Sequence, residues 1–200
     1  MHGVIALHEC SDAQRLAVER LYTSSFPASE RDVFGVILNH EQEGWLSALI
    51  RVDDSGEVEA LCFAYRLSLS PPAVYIAYYA VDPERRGGGI GTTMLKESLA
   101  KLVQPGDAGT LFEIERAASE PWDSYRPVRQ RFWERQGAYA ILDRFLAPRL
   151  DAPGTIDLTL MWIPNGDATA PTGLDAARAL YLEGYELAPD EAKRLLAECS

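Results

Sequence analysis

The stretch that most constrains this chain runs from Tyr75 to Leu95, where an aromatic strand runs into a cluster of glycines and then a helix. The strand is apolar from Ala73 to Val81. Asp82-Pro83 stops it, because proline has no N–H to donate to a sheet and biases the residue before it away from helix. Gly87, Gly88, Gly89 and Gly91 follow, and Thr92 opens a helix. Glycines let successive backbone N–H groups turn toward one point with no Cβ in the way. A helix N-terminus adds the positive end of its dipole. Together these make an anion site suited to a pyrophosphate.

Several phosphate-binding turns share that physics, so spacing must separate them. A P-loop requires Lys-Ser/Thr after its last glycine, and a dinucleotide turn requires Gly-x-Gly-x-x-Gly; neither spacing is present. What fits is Arg-x-x-Gly-x-Gly on Arg86, Gly89 and Gly91, preceded by Ala80-Val81-Asp82-Pro83-Glu84. This string resembles the coenzyme A loop of the GNAT superfamily of N-acetyltransferases. The resemblance implies acetyl-CoA as cosubstrate. It assigns the pantetheine arm and thioester to the backbone at Tyr79, Ala80 and Val81. It assigns the pyrophosphate to the N–H groups of Arg86, Gly87, Gly88, Gly89, Ile90, Gly91 and Thr92, with charge added by Arg85 or Arg86.

The rest of the chain has the element order of that fold. Gly3 to Leu7 reads as a strand. Ser11 caps a helix to about Ser24, and Ser29 is expected to cap a second one carrying Val33, Phe34, Ile37 and Leu38. Trp45–Val52 and Val58–Ser68 read as strands around an Asp53–Gly56 turn. Pro105-Gly106 is expected to end the helix after the glycine loop. Thr110–Glu115 reads as a strand and Pro127–Gln136 as a helix stopped by Gly137. Ala138–Phe145 and Thr155–Ile163 are the last strands. The expectation is an α/β GNAT fold: a mixed, mostly antiparallel sheet of about seven strands with a splayed central pair, flanked by helices. It would occupy residues 1–164 as one acetyltransferase domain. Residues 165–200 read as a linker and a helical extension, Leu174–Leu182 and Pro189–Ala197. That extension is expected to pack on the domain, with a homodimer contact as its alternative role.

Composition narrows the function. The formal charge of −11 argues against sequence-independent binding to nucleic acid and suits steering of a cationic acceptor. No run of about 20 apolar residues marks a membrane span, and the N-terminal residues lack the pattern of a signal peptide. Cys10, Cys62 and Cys199 are odd in number and scattered, as are the histidines. That implies free thiols in a cytoplasmic protein and no metal site.

Acetyl transfer to an amine requires that the amine lose a proton. A lysine-like amine of pKa about 10.4 is neutral about once in 2,500 molecules at pH 7, a penalty of roughly 4.6 kcal/mol. A positioned carboxylate recovers part of it. Glu113 and Glu115 lie on an otherwise apolar strand, and its period of two puts them on one face. Leu111-Phe112-Glu113-Ile114 resembles the Leu-x-Glu-Val strand of peptide N-terminal acetyltransferases, where that glutamate is the base. An ion pair with Arg129 or Arg131 is the structural alternative for either glutamate. Arg131 to Gly137 resembles the family's Phe-Tyr-x-x-x-Gly helix, but Trp133 stands where a proton-donating tyrosine is common, and an indole N–H is no acid. Tyr78, Tyr79, Tyr125 and Tyr139 are the candidate substitutes. Ala77 departs from the family's usual glutamate. Phe26, Glu30, Arg31, Trp122 and Tyr125 are candidates to line the acceptor pocket, with packing or helix-end charge as their alternative role. The expected function is transfer of acetyl from acetyl-CoA to a primary amine, on a small molecule or a peptide, by direct attack in a ternary complex. A non-catalytic acyl-CoA-binding module is the alternative from another class. Cys62, on the strand before the central one, is the only cysteine placed for a covalent route.

Overall fold

A computed structural model describes residues 3–116 and 126–199. Trp122 and Tyr125 lie outside the described residues. The seven strands belong to one mixed sheet flanked by helices. The chain divides into two compact units, the first comprising Met1–Tyr65, Ile76–Gln104 and Leu150–Ala152, the second Arg66–Tyr75, Pro105–Arg149 and Pro153–Ser200.

The first unit begins with β1 (Gly3–Ala6) and a single 3-10 turn at Leu7–Glu9. Helix α1 (Asp12–Ser25) starts where the sequence places it, because Ser11 and Gln14 form a reciprocal capping box. The Gln14 amide also donates to the Gly56 carbonyl at 2.9 Å, fastening the helix start to the hairpin between β2 (Leu46–Val52) and β3 (Val58–Leu67). β1 and β3 each pair antiparallel with β2. In the hairpin, one Asp53 carboxylate oxygen accepts from the Ser55 and Glu57 amides, both at 2.9 Å. That closure leaves Gly56 at φ 87.

Helix α2 (Phe34–Gln42) begins later than expected, and Ser29 does not cap it. The Glu30 amide closes a turn onto the Pro27 carbonyl at 3.0 Å, and the Ser29 carbonyl accepts from Leu150 at 2.9 Å. The Asp32 amide is then taken by the Tyr78 hydroxyl at 3.1 Å. These tertiary partners use the backbone groups that an earlier helical turn would require. Beneath α1 and α2, Leu7, Val18, Tyr22, Ile37, Ile50, Leu61 and Phe63 form the fully buried centre of the core.

β4 (Ala73–Val81) has the bounds expected from its apolar run. A 3-10 turn (Pro83–Arg85) follows, then helix α3 (Ile90–Leu102), which ends at Val103, ahead of Pro105.

In the second unit, β7 (Thr155–Pro164) pairs antiparallel with both β5 (Gly109–Glu115) and β6 (Tyr139–Pro148). The register sets Glu113 opposite Leu160 and Glu115 opposite Leu158. Helix α4 (Arg126–Arg135) lies between β5 and β6 in the chain and is closed by Gly137 at φ 84. Beyond β7, helix α5 (Gly173–Ala179) passes into a π-helical turn (Leu180–Gly184), where a continuous helix is expected. Helix α6 (Pro189–Leu196) follows. Tyr181 is fully buried, stacked on Phe145 with ring centroids 4.8 Å apart, and its hydroxyl donates to the Leu146 carbonyl at 2.9 Å.

Gly109 fixes the start of β5. A Cβ there would lie 2.3 Å from the Ile163 carbonyl oxygen and 2.5 Å from the Trp162 ring. Trp162 is itself fully buried, so neither neighbour can give way cheaply. Overpacking of this kind costs about 1–3 kcal/mol. Gly109→Ala is expected to lose about 2 kcal/mol in urea denaturation, and an unchanged midpoint would show that the ring has room to move.

Candidate active site

Side chains on β4 alternate between the two faces of the sheet, and two adjacent tyrosines carry this into opposite contacts. The Tyr79 hydroxyl donates to the Gly91 carbonyl, pinning the first turn of α3 to the strand. The sequence reading used the backbone of Tyr79 and offered its phenol as a candidate acid, but missed this contact. Tyr78 points the other way. It is 5 % exposed, packs edge-on against Tyr22 and Phe26 at centroid distances of 4.9 and 5.2 Å, and donates to an Asp32 carboxylate oxygen at 3.2 Å. Burial pushes both phenols well above the ordinary tyrosine range.

The glycine turn leaves backbone N–H groups open. Gly87 and Gly89 have φ of 91 and 81, left-handed values that disfavour a side chain, and Gly89 is the N-cap of α3. The first N–H groups of α3 have no intrahelical acceptor, and its axis runs from this end. A Cβ built on Gly87, Gly88 or Gly89 meets nothing within 4 Å, so the space in front of the turn is open. The arginines hold the turn in shape. Arg86 donates through Nε to the Val81 carbonyl at 3.1 Å. Arg85 is committed to the hairpin, 2.5 Å from Asp53 and 3.5 Å from Glu59. Hydrogen bonds from Ser55 and then Arg85 hold the Asp53 carboxyl well below its usual range. Arg51 adds a brace, bonded to Glu59 on β3 at 3.0 Å and to Glu97 on α3 at 2.9 Å.

The candidate acceptor residues of the first unit sit at the start of the α1–α2 connection. Phe26 packs on Tyr22 and Tyr78. Arg31 donates through Nε to the Phe26 carbonyl at 2.9 Å, and Glu30 occupies the turn made by its amide. Asp32, which sequence reasoning passed over, joins Tyr78 and Tyr22: its carbonyl accepts from the Tyr22 hydroxyl at 3.2 Å.

The two glutamates of β5 have different partners. Glu115 is ion-paired with Arg129 at 2.5 Å. Glu113 accepts from two phenols, Tyr75 on one oxygen at 2.6 Å and Tyr185 on the other at 2.9 Å. Trp133 is 7 % exposed and lies against Phe112 with ring centroids 4.1 Å apart, the packing of a core residue. Cys62 is fully buried, and burial pushes its thiol up to about 12, so it is a protonated, sequestered group and a poor nucleophile. Among the described residues, no group of three or more His, Cys, Asp or Glu side chains converges on a metal-sized site.

The model of the acetyltransferase (GNAT) family matches residues 15–138, which include β4, the glycine turn, α3 and β5. The chain belongs to this family. As a member it is an acetyl-CoA-dependent N-acetyltransferase. Solved structures agree on the fold. NAA60 of Arabidopsis thaliana, solved with a bisubstrate analogue, has a TM-score of 0.63 at 14 % identity, covering 84 % of this chain and 100 % of its own. Phosphinothricin acetyltransferase of Sinorhizobium meliloti, solved with acetyl-CoA, scores 0.59 at 18 % identity over 86 % and 94 % of the two chains. Spermidine N-acetyltransferase of Vibrio cholerae, solved with coenzyme A and spermine, scores 0.57 at 11 % identity over 82 % and 95 %. No curated protein matches the chain in sequence.

The open left-handed turn at the head of α3 is where the sequence places the pyrophosphate, and one substitution tests that expectation. Gly89→Glu puts a bulky anion where those N–H groups face and forces a side chain into a left-handed backbone, at about 1–2 kcal/mol of strain. It is expected to abolish coenzyme A binding in calorimetry while thermal denaturation still shows a folded chain. Wild-type affinity in this variant would remove the turn from the cosubstrate site.

Proposed function

We propose that this acetyltransferase acetylates a primary amine by direct attack, with Glu113 as the base that takes the amine proton. The observation that carries the reading is the contrast on β5. Glu115 is spent on Arg129, whereas Glu113 has hydroxyl partners, which can rotate away and leave a lone pair for an incoming N–H. The likeness of this strand to that of peptide N-terminal acetyltransferases supports the same assignment. Bound acetyl-CoA supplies an acetyl thioester whose leaving thiol has an ordinary pKa of about 8.5, so expulsion needs little help from an acid. Trp133 accordingly keeps a packing role. The backbone of Tyr79, Ala80 and Val81 holds the acyl end, and the turn from Arg86 to Thr92 holds the pyrophosphate, with Arg85 and Arg86 bracing it. A covalent cysteine route is disfavoured by the buried, protonated Cys62.

On the acceptor side we assign Phe26, Glu30 and Arg31, with Asp32 added, and Tyr78 stays the candidate to protonate the leaving thiolate. The net charge of −11 favours a cationic amine. Trp122 and Tyr125 remain acceptor-binding candidates from the sequence. Residues 1–164 are proposed as the catalytic domain and 165–200 as an extension packed on it. Free thiols at all three cysteines suit the cytoplasm, and no described helix is long and apolar enough to cross a membrane.

The test is a pH profile of kcat/KM for Glu113→Gln and Glu115→Gln, with spermidine and a peptide bearing a free N-terminus as acceptors. General-base help is typically worth 10²–10⁴-fold. Glu113→Gln is expected to lose about that much at pH 7 and to recover toward pH 10, where bulk solvent supplies neutral amine. Glu115→Gln is expected to stay within a few-fold. Wild-type profiles in the Glu113 variant would dismiss it as the base.

A further inference from the structure

The family model ends at residue 138, yet one of the two hydroxyls on Glu113 comes from far beyond it. We infer that the segment after α5 is part of the catalytic apparatus, with Tyr185 a positioning residue that aims the Glu113 carboxylate and keeps it ionised. This deepens the reading of Glu113 as the base and rests on it.

The local backbone serves this contact. The π-helical turn at Leu180–Gly184 widens the helix just before Tyr185, and such turns recur at functional sites. Gly184 brings the backbone close to this pair: a Cβ there would meet Leu180 Cδ1 at 2.5 Å, so that side chain would have to shift, and would lie 3.6 Å from the ring of Tyr75, another phenol on Glu113. Tyr185 turns its amide back to the Leu180 carbonyl at 2.9 Å. Glu186 then takes φ 51, a left-handed value that residues other than glycine rarely adopt. Glu183 tethers the turn by accepting from the Ser68 amide at 2.8 Å, and the Leu187 amide bonds the Tyr181 carbonyl at 2.8 Å.

The groups around the carboxylate define what Tyr185 changes. β4 contributes Tyr75, and β7 contributes the apolar Leu160 opposite. Beside it on β5 is Glu115, neutralised by Arg129. Tyr181, on the π turn, has its hydroxyl on the Leu146 carbonyl and at 3.3 Å from the Cys199 sulfur. Glu183 is held at Ser68. A hydroxyl donated to a carboxylate favours its charged form. Removing the Tyr185 donor therefore raises the pKa of Glu113 and moves the acid limb of its activity to higher pH.

The direct measurement is a ¹³C-carboxyl NMR titration of the full chain labelled at glutamate, with Glu113→Gln identifying the resonance. Tyr185→Phe is expected to raise the titration midpoint of Glu113 by about one pH unit, the scale of a tenfold change. The acid limb of kcat/KM for spermidine or peptide acetylation should move by the same amount, with KM changed little. A site-specifically fluorinated tyrosine at position 185 keeps the ring and donates more strongly, so it should move the midpoint down. It also serves as the test if the phenylalanine variant does not fold. A Glu113 midpoint that stays at its wild-type value in these variants overturns the role of Tyr185. The base reading fails separately, if Glu113→Gln itself leaves the pH profile unchanged.

Discussion

The alternation of side chains along β4 is the constraint on which the glycine turn and the α1–α2 connection of this enzyme depend. Because neighbouring residues must face opposite ways, Tyr78 and Tyr79 cannot serve the same purpose. One reaches the α1–α2 connection and sets the conformation of Asp32, and the other grips the first turn of α3. A shift of register by one residue would exchange the two and lose both. Burial of both phenols makes the contacts costly to break, since a hydroxyl left without a partner in the interior pays its full desolvation.

The two glutamates of β5 show how composition and geometry divide a shared chemistry. The period of the strand puts both on one face, and nothing in that pattern separates them. Their partners do. A guanidinium fixes Glu115 as an ion pair, while phenols at Glu113 favour the carboxylate without adding a formal charge that would repel a protonated amine. Trp133 belongs to the same picture: its ring lies against that of Phe112, the residue before Glu113, as part of the core beneath β5.

What could be read in the sequence was local. The glycine turn, the Ser11 cap, the Asp53–Gly56 hairpin and the bounds of β4 follow from spacing within a few residues, and the structure has them in place. The start of α2 was misplaced because Ser29 has the chemistry of a cap, but its surroundings are claimed by Leu150 and Tyr78, distant in the chain. The helix expected over Leu174–Leu182 gives way to a π turn from Leu180, since a π turn has no composition of its own. Tyr185 reads as a packing aromatic until its contact with Glu113, 72 residues away, is known. Asp32 escaped notice for the same reason: its partner Tyr78 is 46 residues distant. Trp122 and Tyr125 fall on residues whose placement is not described.

The grip of Arg85 on Asp53 gives the glycine turn a sensitivity of another kind. Both side chains are partly open to solvent, where mobile ions compete with such pairs and the screening length is about 8 Å at physiological ionic strength. An anion held at the turn, as proposed, would be drawn there by the same long-range forces. Rising salt thus loosens the anchor and weakens the pull on the ligand together. Affinity for the cosubstrate in this enzyme should then be a steeper function of ionic strength than the charge of the ligand alone would give.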